Sequence, residues 1–254
     1  MVTAPMETGP VVGLDCSSER CTVALVRNGS CEVEVERVCP GEQLRLLLPM
    51  VKDMLTTAGL TPWDVRRMAV TVGPGSFTGL RLGISMVRTF TQITGCFAVP
   101  VGTLEACAWG IQRWWEETKS NRLPVLCPVL DARKGHVFAA AWRVVEMGEV
   151  LEAIREPQAL DPAAAVTWLS ELARDCPGEP LLVGGSGLRA YPVLAEGVLG
   201  VTVVPEDAAR VHGRDVALVG AGARGEVSLV SYGELVPEYL RVLDVQVPRR
   251  MKGL

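Results

Sequence analysis

Residues 70–83 read Val-Thr-Val-Gly-Pro-Gly-Ser-Phe-Thr-Gly-Leu-Arg-Leu-Gly, and they predict a short apolar strand that passes through a glycine-rich turn directly into a helix. Gly73 and Gly75 permit backbone angles closed to other residues, and Ser76 is a favourable N-cap residue. With Gly79 they form Gly-x-Gly-x-x-x-Gly, which is one residue longer than the Gly-x-Gly-x-x-Gly pattern of dinucleotide-binding proteins. No Gly-Lys-Ser or Gly-Lys-Thr follows, as a P-loop would require. The stretch therefore predicts a strand-to-helix turn whose first-turn amides attract anions.

A helix is predicted on each side of this turn, from Glu42 to Ala58 and from about Phe77 to Thr94. Pro49 removes a backbone hydrogen bond, so the first helix is expected to bend or to begin only near Leu46. Its apolar residues form two stripes where a helix that buries one face needs only one. The first stripe consists of Leu44, Leu48, Val51, Leu55 and Ala58, and the second of Leu47, Met50 and Met54.

The second helix also has two apolar faces, and one of them carries glycines four residues apart, a spacing that lets another helix approach closely. We predict that one face of each helix covers the chain's own sheet and that the other pairs with a partner of the same fold. Burial of both helices inside one larger core is the alternative. The predicted interface residues are Leu47, Met50, Met54, Gly79, Gly83, Met86 and Phe90.

An internal repeat organises the rest of the chain. Residues 11–38 predict a meander of three strands, with Asp15 at the end of the first strand. Residues 125–143 repeat the opening of this meander and place Asp131 at the equivalent position. The repeat predicts an α/β protein that contains two copies of one strand-rich module.

Composition narrows the class of protein. Of 254 residues, 48% are apolar and 21% are charged, which is typical of a globular protein with a sizeable core. The net charge of -4 disfavours autonomous RNA binding, which relies on clustered basic residues. No apolar run approaches the roughly 20 residues that span a bilayer, so we expect a cytoplasmic protein without a membrane partner. Residues 1–10 and 241–254 are expected to be flexible tails.

The residues of common catalytic sites are missing from the sequence. His136 and His212 are its two histidines and are too far apart to present a metal-binding pair on one helix. No Gly-x-Ser-x-Gly is present. The eight cysteines include no Cys-x-x-Cys pair and are expected to be free thiols, with a functional disulfide or metal site as the alternative. We therefore predict no catalytic residues and no metal.

Five segments resemble, in family order, the motifs of the TsaB (YeaZ) family, the non-catalytic partner subunit in bacterial tRNA threonylcarbamoyladenosine synthesis. They are residues 13–18, 73–81, 101–106, 131–140 and 237–241. Two departures stand out. Pro40-Gly41-Glu42 replaces the His-Ser-Glu that relatives often show, and Asp15-Cys16-Ser17 replaces the commoner Asp-Thr-Ser.

The resemblance implies the superfold of actin-like proteins, sugar kinases and Hsp70 ATPases, with two ribonuclease-H-like lobes at residues 11–100 and 101–240. In that superfold the turn after the first aspartate contacts phosphate, a second aspartate helps to hold the metal, and a later glycine cluster contacts adenosine. The corresponding residues are Asp15, Ser17, Asp131, Gly184, Gly185 and Gly187. For each, a purely structural role in a turn or at a strand end is the alternative.

The resemblance further implies a scaffolding and activating subunit that has no cofactor of its own, with ATP bound only in an assembled complex. The implied partners are the catalytic paralogue TsaD and the P-loop ATPase subunit TsaE, with a homodimer when the chain is alone and tRNA reached only through the complex. Two rival functions remain open. One is an independent ATP-dependent phosphotransferase of the same superfold, and the other is an obligate homodimer with a different ligand.

Overall fold

The computed structural model describes residues 2–4, 7–118, 120–148, 150–222, 224 and 227–240. Its first sheet has five strands in the order β4-β3-β2-β5-β6, in which β2, β3 and β4 form the predicted meander and β5 and β6 run parallel to β2. The strands are β2 (Val11–Asp15), β3 (Arg20–Arg27), β4 (Ser30–Val38), β5 (Arg67–Gly73) and β6 (Phe97–Gly102).

The second sheet repeats this topology with the order β9-β8-β7-β10-β11. Its strands are β7 (Val125–Arg133), β8 (His136–Glu146), β9 (Val150–Leu160), β10 (Leu181–Gly184) and β11 (Val201–Val203). In both sheets the first three strands are antiparallel and the last two run parallel to the first. The predicted duplication and the two ribonuclease-H-like lobes are therefore confirmed.

Helices cover both faces of the first sheet. The helices of the chain are α1 (Gln43–Thr57), α2 (Phe77–Thr94), α3 (Thr103–Glu117), α4 (Pro162–Asp175), α5 (Ser186–Ala190), α6 (Val193–Glu196) and α7 (Gly213–Ala221), and a 3-10 turn spans Pro62–Asp64. Gly13 and Leu14 point to opposite faces of β2, where Gly13 lies against α7 and Leu14 against α2. Strands β2 and β5 are buried throughout, which explains their largely apolar sequences.

The junction of β5 and α2 has the predicted form. The Ser76 hydroxyl accepts a hydrogen bond from the Gly79 backbone N–H at 3.3 Å, and Gly95 ends the helix in the left-handed conformation. Helix α1 begins at Gln43 and runs through Pro49, so the prediction of a start near Leu46 is wrong. The proline lies on the exposed side of that helix.

The two lobes share elements across the predicted boundary at residue 100. Helix α7 comes from the range assigned to the second lobe but packs on β2, β3 and β5 of the first sheet. Helix α3 contacts both sheets and also α7. Strand β12 (Val227–Leu229) then pairs with β1 (Val2–Ala4), and Val230 bridges to Ala98. A boundary between residues 100 and 101 therefore does not divide the chain into two self-contained lobes.

Residues 2–4 and Glu7 form contacts with the rest of the chain, whereas residues 1–10 were predicted to be a flexible tail. The backbone of Val2–Ala4 forms strand β1, and the Glu7 backbone N–H donates to the Ala221 carbonyl at 2.6 Å. The Glu7 carboxylate also lies 3.9 Å from the buried guanidinium of Arg67. The prediction for residues 241–254, including the basic segment 248–254, lies outside the described residues.

Candidate functional site: the interlobe cleft and the outer helix pair

Asp15 lies at the end of β2, and its carboxylate is used within the chain. One oxygen accepts hydrogen bonds from the Ser17 backbone N–H at 2.9 Å and from the Thr71 hydroxyl. Burial raises the pKa of the carboxyl above its ordinary value of 3.8, and the bonds from Thr71 and Ser17 only partly oppose this. The Asp15 carboxylate is thus buried and already accepts two hydrogen bonds from its own chain.

Ser17 ties the same turn to the start of α2. Its carbonyl accepts a hydrogen bond from the Ser76 backbone N–H at 2.7 Å. A Cβ atom on Gly75 would lie 2.7 Å from the Ser17 Cβ, so glycine is needed there for the two segments to meet. Ser17 therefore acts in the structure as a support for the β5–α2 turn.

In the second lobe, Asp131 lies beside the glycine cluster. The Asp131 backbone N–H donates to the Ser186 hydroxyl at 3.0 Å, and its carboxylate accepts from the Arg133 N–H at 2.8 Å. Gly185 and Gly187 pack closely on β7. A Cβ atom on Gly185 would lie 2.5 Å from the Val129 carbonyl oxygen, and one on Gly187 would lie 2.9 Å from it. Close packing is sufficient to explain these glycines.

A cavity of about 430 Å³ opens beside this glycine cluster. Apolar side chains form most of its wall, and an ion pair between Arg189 and Glu206, 3.2 Å apart, lies at its edge. Gly184 packs against Ala209 and Val204. The cavity thus adjoins the loop for which an adenosine contact was predicted.

The turns of the two lobes contact each other directly. The Arg133 guanidinium of the second lobe pairs with the Glu19 carboxylate of the first at 3.0 Å, and both side chains are exposed. The turn after Asp15 and the turn after Asp131 are therefore linked by an ion pair.

The segment 237–240 connects the two lobes at a second place. The Glu238 N–H donates to the Val72 carbonyl at 2.7 Å, and a Cβ on Gly73 would lie 2.2 Å from the Glu238 carbonyl oxygen. Leu240 then packs among apolar residues of the second lobe that include Ala132 and Phe138. Asp15 and Asp131 are thus both engaged in turns, and the Glu19–Arg133 pair and the segment 237–240 each connect the two lobes.

Helices α1 and α2 expose different residues from those predicted. Leu47, Met50 and Met54 are 1%, 7% and 2% exposed and lie in the core of the first lobe, so the prediction that they form an exposed surface is wrong. With Val51 and Leu55 they form one helical face at spacings of three and four residues. Leu48 lies about 100° around the helix from Leu47 and stays outside that face.

The glycines of α2 pack inward and do not form a surface groove. A Cβ on Gly79 would lie 1.8 Å from the Cys16 carbonyl oxygen, and one on Gly83 would lie 3.2 Å from the side chains of Leu14 and Val70. Both glycines therefore allow α2 to approach its own sheet. Met86 and Phe90 are half-buried at the edge of the same core.

Other apolar residues are exposed along the two helices. Leu44 and Leu48 on α1 are 76% and 63% exposed. Phe77 and Ile93, at the two ends of α2, are also exposed, and α1 packs beside α2. The outer surface of this pair, defined here as the α1/α2 surface, thus consists of Leu44, Leu48, Phe77, Met86, Phe90 and Ile93.

The described residues contain neither a metal-binding cluster nor a membrane-spanning helix. Within residues 7–118, 120–148, 150–222, 224 and 227–240, no group of three or more histidine, cysteine or acidic side chains is placed to hold a metal ion. In the same part of the chain, no helix has the length and apolar character needed to cross a membrane. His212 is buried, and its Nε2–H donates to the Asp207 carbonyl at 2.8 Å.

Comparison with known proteins identifies the family. The family model described as TsaD, tRNA N6-adenosine threonylcarbamoyltransferase, matches residues 41–179, which is more than half of the chain. A protein from Escherichia coli (strain K12), named tRNA threonylcarbamoyladenosine biosynthesis protein TsaB, is 32% identical over 73% of this chain and 75% of its own length. The chain belongs to the TsaB (YeaZ) family.

Further TsaB and YeaZ proteins agree over longer stretches. The Bacillus subtilis (strain 168) protein of the same name is 25% identical over 93% of this chain and 96% of its own length. The solved structure of YeaZ from Pseudomonas aeruginosa has a TM-score of 0.73 and 25% identity, and the match covers 91% of this chain and all of that one. The TsaB fold therefore accounts for both lobes.

Two TsaB motifs that are far apart in the sequence meet at the start of α2. Tyr239 stacks on Phe77 with 5.3 Å between ring centroids, and the Arg81 guanidinium lies 3.8 Å from the Phe77 ring centroid. Sequence reasoning noted both motifs but did not bring them together. It also missed the contact of Glu19 with Arg133, because nothing in local sequence indicates which turns face each other.

Proposed function

We propose that this chain is the non-catalytic scaffolding and activating subunit in tRNA threonylcarbamoyladenosine biosynthesis. It pairs with the catalytic threonylcarbamoyltransferase paralogue TsaD and acts in the cytoplasm. The observation that carries the proposal is the α1/α2 surface on a chain of the TsaB family. Large exposed apolar patches on globular proteins usually mark interaction sites.

The pairing mode follows from the position of the exposed residues. The α1/α2 surface covers the outside of the first sheet, so a partner with the same lobe can add its own helix pair there. The same surface would pair two copies when the chain is alone, since like folds can substitute for each other at one interface. TsaE would act on the assembled pair, and tRNA would be reached through the complex.

The absence of an independent activity is part of the proposal. The contacts of Asp15, Asp131 and the segment 237–240 support a chain that holds no nucleotide alone, with ATP entering only in the assembled complex. Activation would then arise from covering the apolar helices of TsaD and biasing its site toward the active arrangement. The relatives do not favour the rival phosphotransferase function.

The test is heterodimer formation with TsaD from the same organism, measured by light scattering and titration calorimetry. A Leu44→Asp/Leu48→Asp double variant places two charges on the α1/α2 surface. We expect it to fold and to weaken pairing about a hundredfold or more, because interface anchors commonly contribute about 2 kcal/mol or more each. Leu199→Asp is the matched control, since Leu199 is 93% exposed in the second lobe.

Three results are informative. Loss of pairing in the double variant but not in Leu199→Asp would support the proposal and its interface. A folded double variant that pairs like the native chain would overturn the interface. A native chain that does not pair with TsaD at all would overturn the scaffold function.

A further inference from the structure

Three thiols meet beneath the N-terminal end of α1. Cys16, Cys21 and Cys39, defined here as the cysteine cluster, are each 1% exposed or less. The Cys16 and Cys21 sulfur atoms are 3.3 Å apart, within the reach of a sulfur hydrogen bond. All three are free thiols. The chain thus holds close thiol neighbours outside the cleft that the proposed function does not use.

The sheet register places Cys16 and Cys21 opposite each other. Strands β2 and β3 are antiparallel, and their last pair is Asp15 with Thr22, so the next facing positions are residues 16 and 21. Facing residues in antiparallel strands have Cα atoms about 4.5–5.5 Å apart. Disulfides span Cα separations of about 4.4–6.8 Å, so a bond between these cysteines needs only a small local movement.

The three thiols differ in pKa because their surroundings differ. The hydrogen bond from Cys16 lowers the pKa of Cys21, and the same bond together with burial raises the pKa of Cys16. Burial, with the neighbouring Cys21, raises the pKa of Cys39 to about 11. Because the thiolate is the reactive form, the lowered pKa favours Cys21 as the nucleophile of the cluster.

The hairpin that carries these cysteines supports both helices of the α1/α2 surface. The Cys16 carbonyl lies against Gly79 of α2, and the Ser18 carbonyl accepts from the Gln43 side chain of α1 at 3.5 Å. The Cys39 N–H, just before α1, donates to the Glu19 carbonyl at 2.9 Å. A change in the geometry of residues 16–21 therefore acts on the N-terminal ends of α1 and α2 together.

We propose that Cys16 and Cys21 form an oxidation-sensitive pair, which peroxide converts to a disulfide that weakens partner binding through the α1/α2 surface. The effect on partner binding rests on the proposed function. The Cys21 thiolate attacks one peroxide oxygen, the O–O bond breaks, and a sulfenic acid and water form once a proton is taken up. The Cys16 sulfur then attacks the sulfenic sulfur, the S–O bond breaks, and a second water leaves. Overall, two thiols and one hydrogen peroxide give one disulfide and two waters.

The first measurement is a peptide map of the native full-length protein after treatment with hydrogen peroxide and alkylation of the remaining thiols. We expect a linked pair of peptides that contain Cys16 and Cys21, with the loss of two hydrogen atoms, reversed by a thiol reductant. Cys16→Ala should remove this link, and Cys127→Ala, which changes a buried thiol of the second lobe, should keep it. A link between Cys21 and Cys39, or no link, would overturn the pair.

The second measurement compares TsaD binding by reduced and oxidised native protein, so it does not depend on a variant that folds. We expect about tenfold weaker binding after oxidation, a change of about 1.4 kcal/mol, and no change for oxidised Cys16→Ala. A disulfide that forms without weakening binding would overturn the regulatory half. Reduced protein that does not bind TsaD would overturn the proposed function together with that half, while the peptide map would still decide whether the pair forms.

Discussion

The Arg81 Nε–H donates to the Tyr239 hydroxyl at 3.0 Å, although the two residues are 158 positions apart in the chain. Arg81 also lies over the ring of Phe77, which stacks on Tyr239. The start of α2 is thereby attached to the segment 237–240, which contacts both lobes. This attachment links the α1/α2 surface to the second lobe, where Leu240 packs.

The Phe77–Tyr239 stack is expected to contribute measurable coupling. In a double-mutant cycle of Phe77→Ala and Tyr239→Ala, we expect a coupling free energy of about 0.5–1.5 kcal/mol, as found for aromatic pairs. Urea denaturation of the four proteins measures it. Tyr239→Phe keeps the ring and removes the hydroxyl that Arg81 contacts, so it should lose less stability than Tyr239→Ala. Additive single effects would show that the stack does not tie the two segments together.

Gly79 is expected to be intolerant of a side chain. In Gly79→Ala the new Cβ would lie 1.8 Å from a backbone oxygen, so α2 must shift from the sheet. We expect Gly79→Ala to lower the free energy of unfolding by about 3 kcal/mol or more, which is the upper end of the range for overpacking. Gly83→Ala is the matched control, because its Cβ meets only side chains at 3.2 Å. The gain of about 1 kcal/mol in helix propensity should offset most of that contact.

Urea denaturation of the two glycine variants provides the measurement. Equal stability of Gly79→Ala and Gly83→Ala would contradict the close approach of α2 to Cys16. Gly83 faces Leu14 and Val70 in the core. A Gly83→Arg variant would therefore disturb folding and would not report on the interface.

Asp215 is expected to be important for the joint between α3 and α7. Its fully buried carboxylate pairs with Arg113 at 3.1 Å and with Arg224 at 2.5 Å. Asp215→Asn would leave both guanidinium groups without their anion, and breaking a buried pair in this way costs about 3–5 kcal/mol. Asp207→Asn, at an exposed pair with Arg210, should cost no more than about 1 kcal/mol. Thermal unfolding that ranks the two variants in the opposite order would be inconsistent with this role.

Asp15 is expected to make stability depend on pH. Burial raises the pKa of its carboxyl above 3.8, so the folded state prefers the neutral acid. The stability that this proton contributes is fully present below pH 3.8 and is lost as pH rises through the raised pKa. Native protein should therefore lose stability relative to Asp15→Asn as the pH of urea denaturation is raised.

Thr71→Val provides a check on the Asp15 prediction. The Thr71 hydroxyl donates to the carboxylate and lowers its pKa, so its removal should move the pH-dependent change to higher pH. A difference between native protein and Asp15→Asn that grows in favour of the native protein with rising pH would mean that the ionised carboxylate is preferred in the fold.

The sequence determined the elements and their duplication. The β5–α2 turn, the Ser76 cap, the first meander, the opening of the second and the equivalent positions of Asp15 and Asp131 all follow from patterns within short stretches of the chain. Hydrogen bonding, apolar periodicity and turn chemistry operate over such distances along the chain. The motifs that resemble TsaB likewise indicated the two lobes of the fold.

Only the tertiary structure decided which face of each element is covered. Leu47 and Leu48 are adjacent in sequence and equally apolar, yet the sheet buries the first and leaves the second exposed. The same holds for the contacts of Glu19 with Arg133 and of Arg81 with Tyr239, and for the packing of α7 on the first sheet. These outcomes depend on how distant segments fill one core, and periodicity along a single helix carries no information about the segment that packs against it.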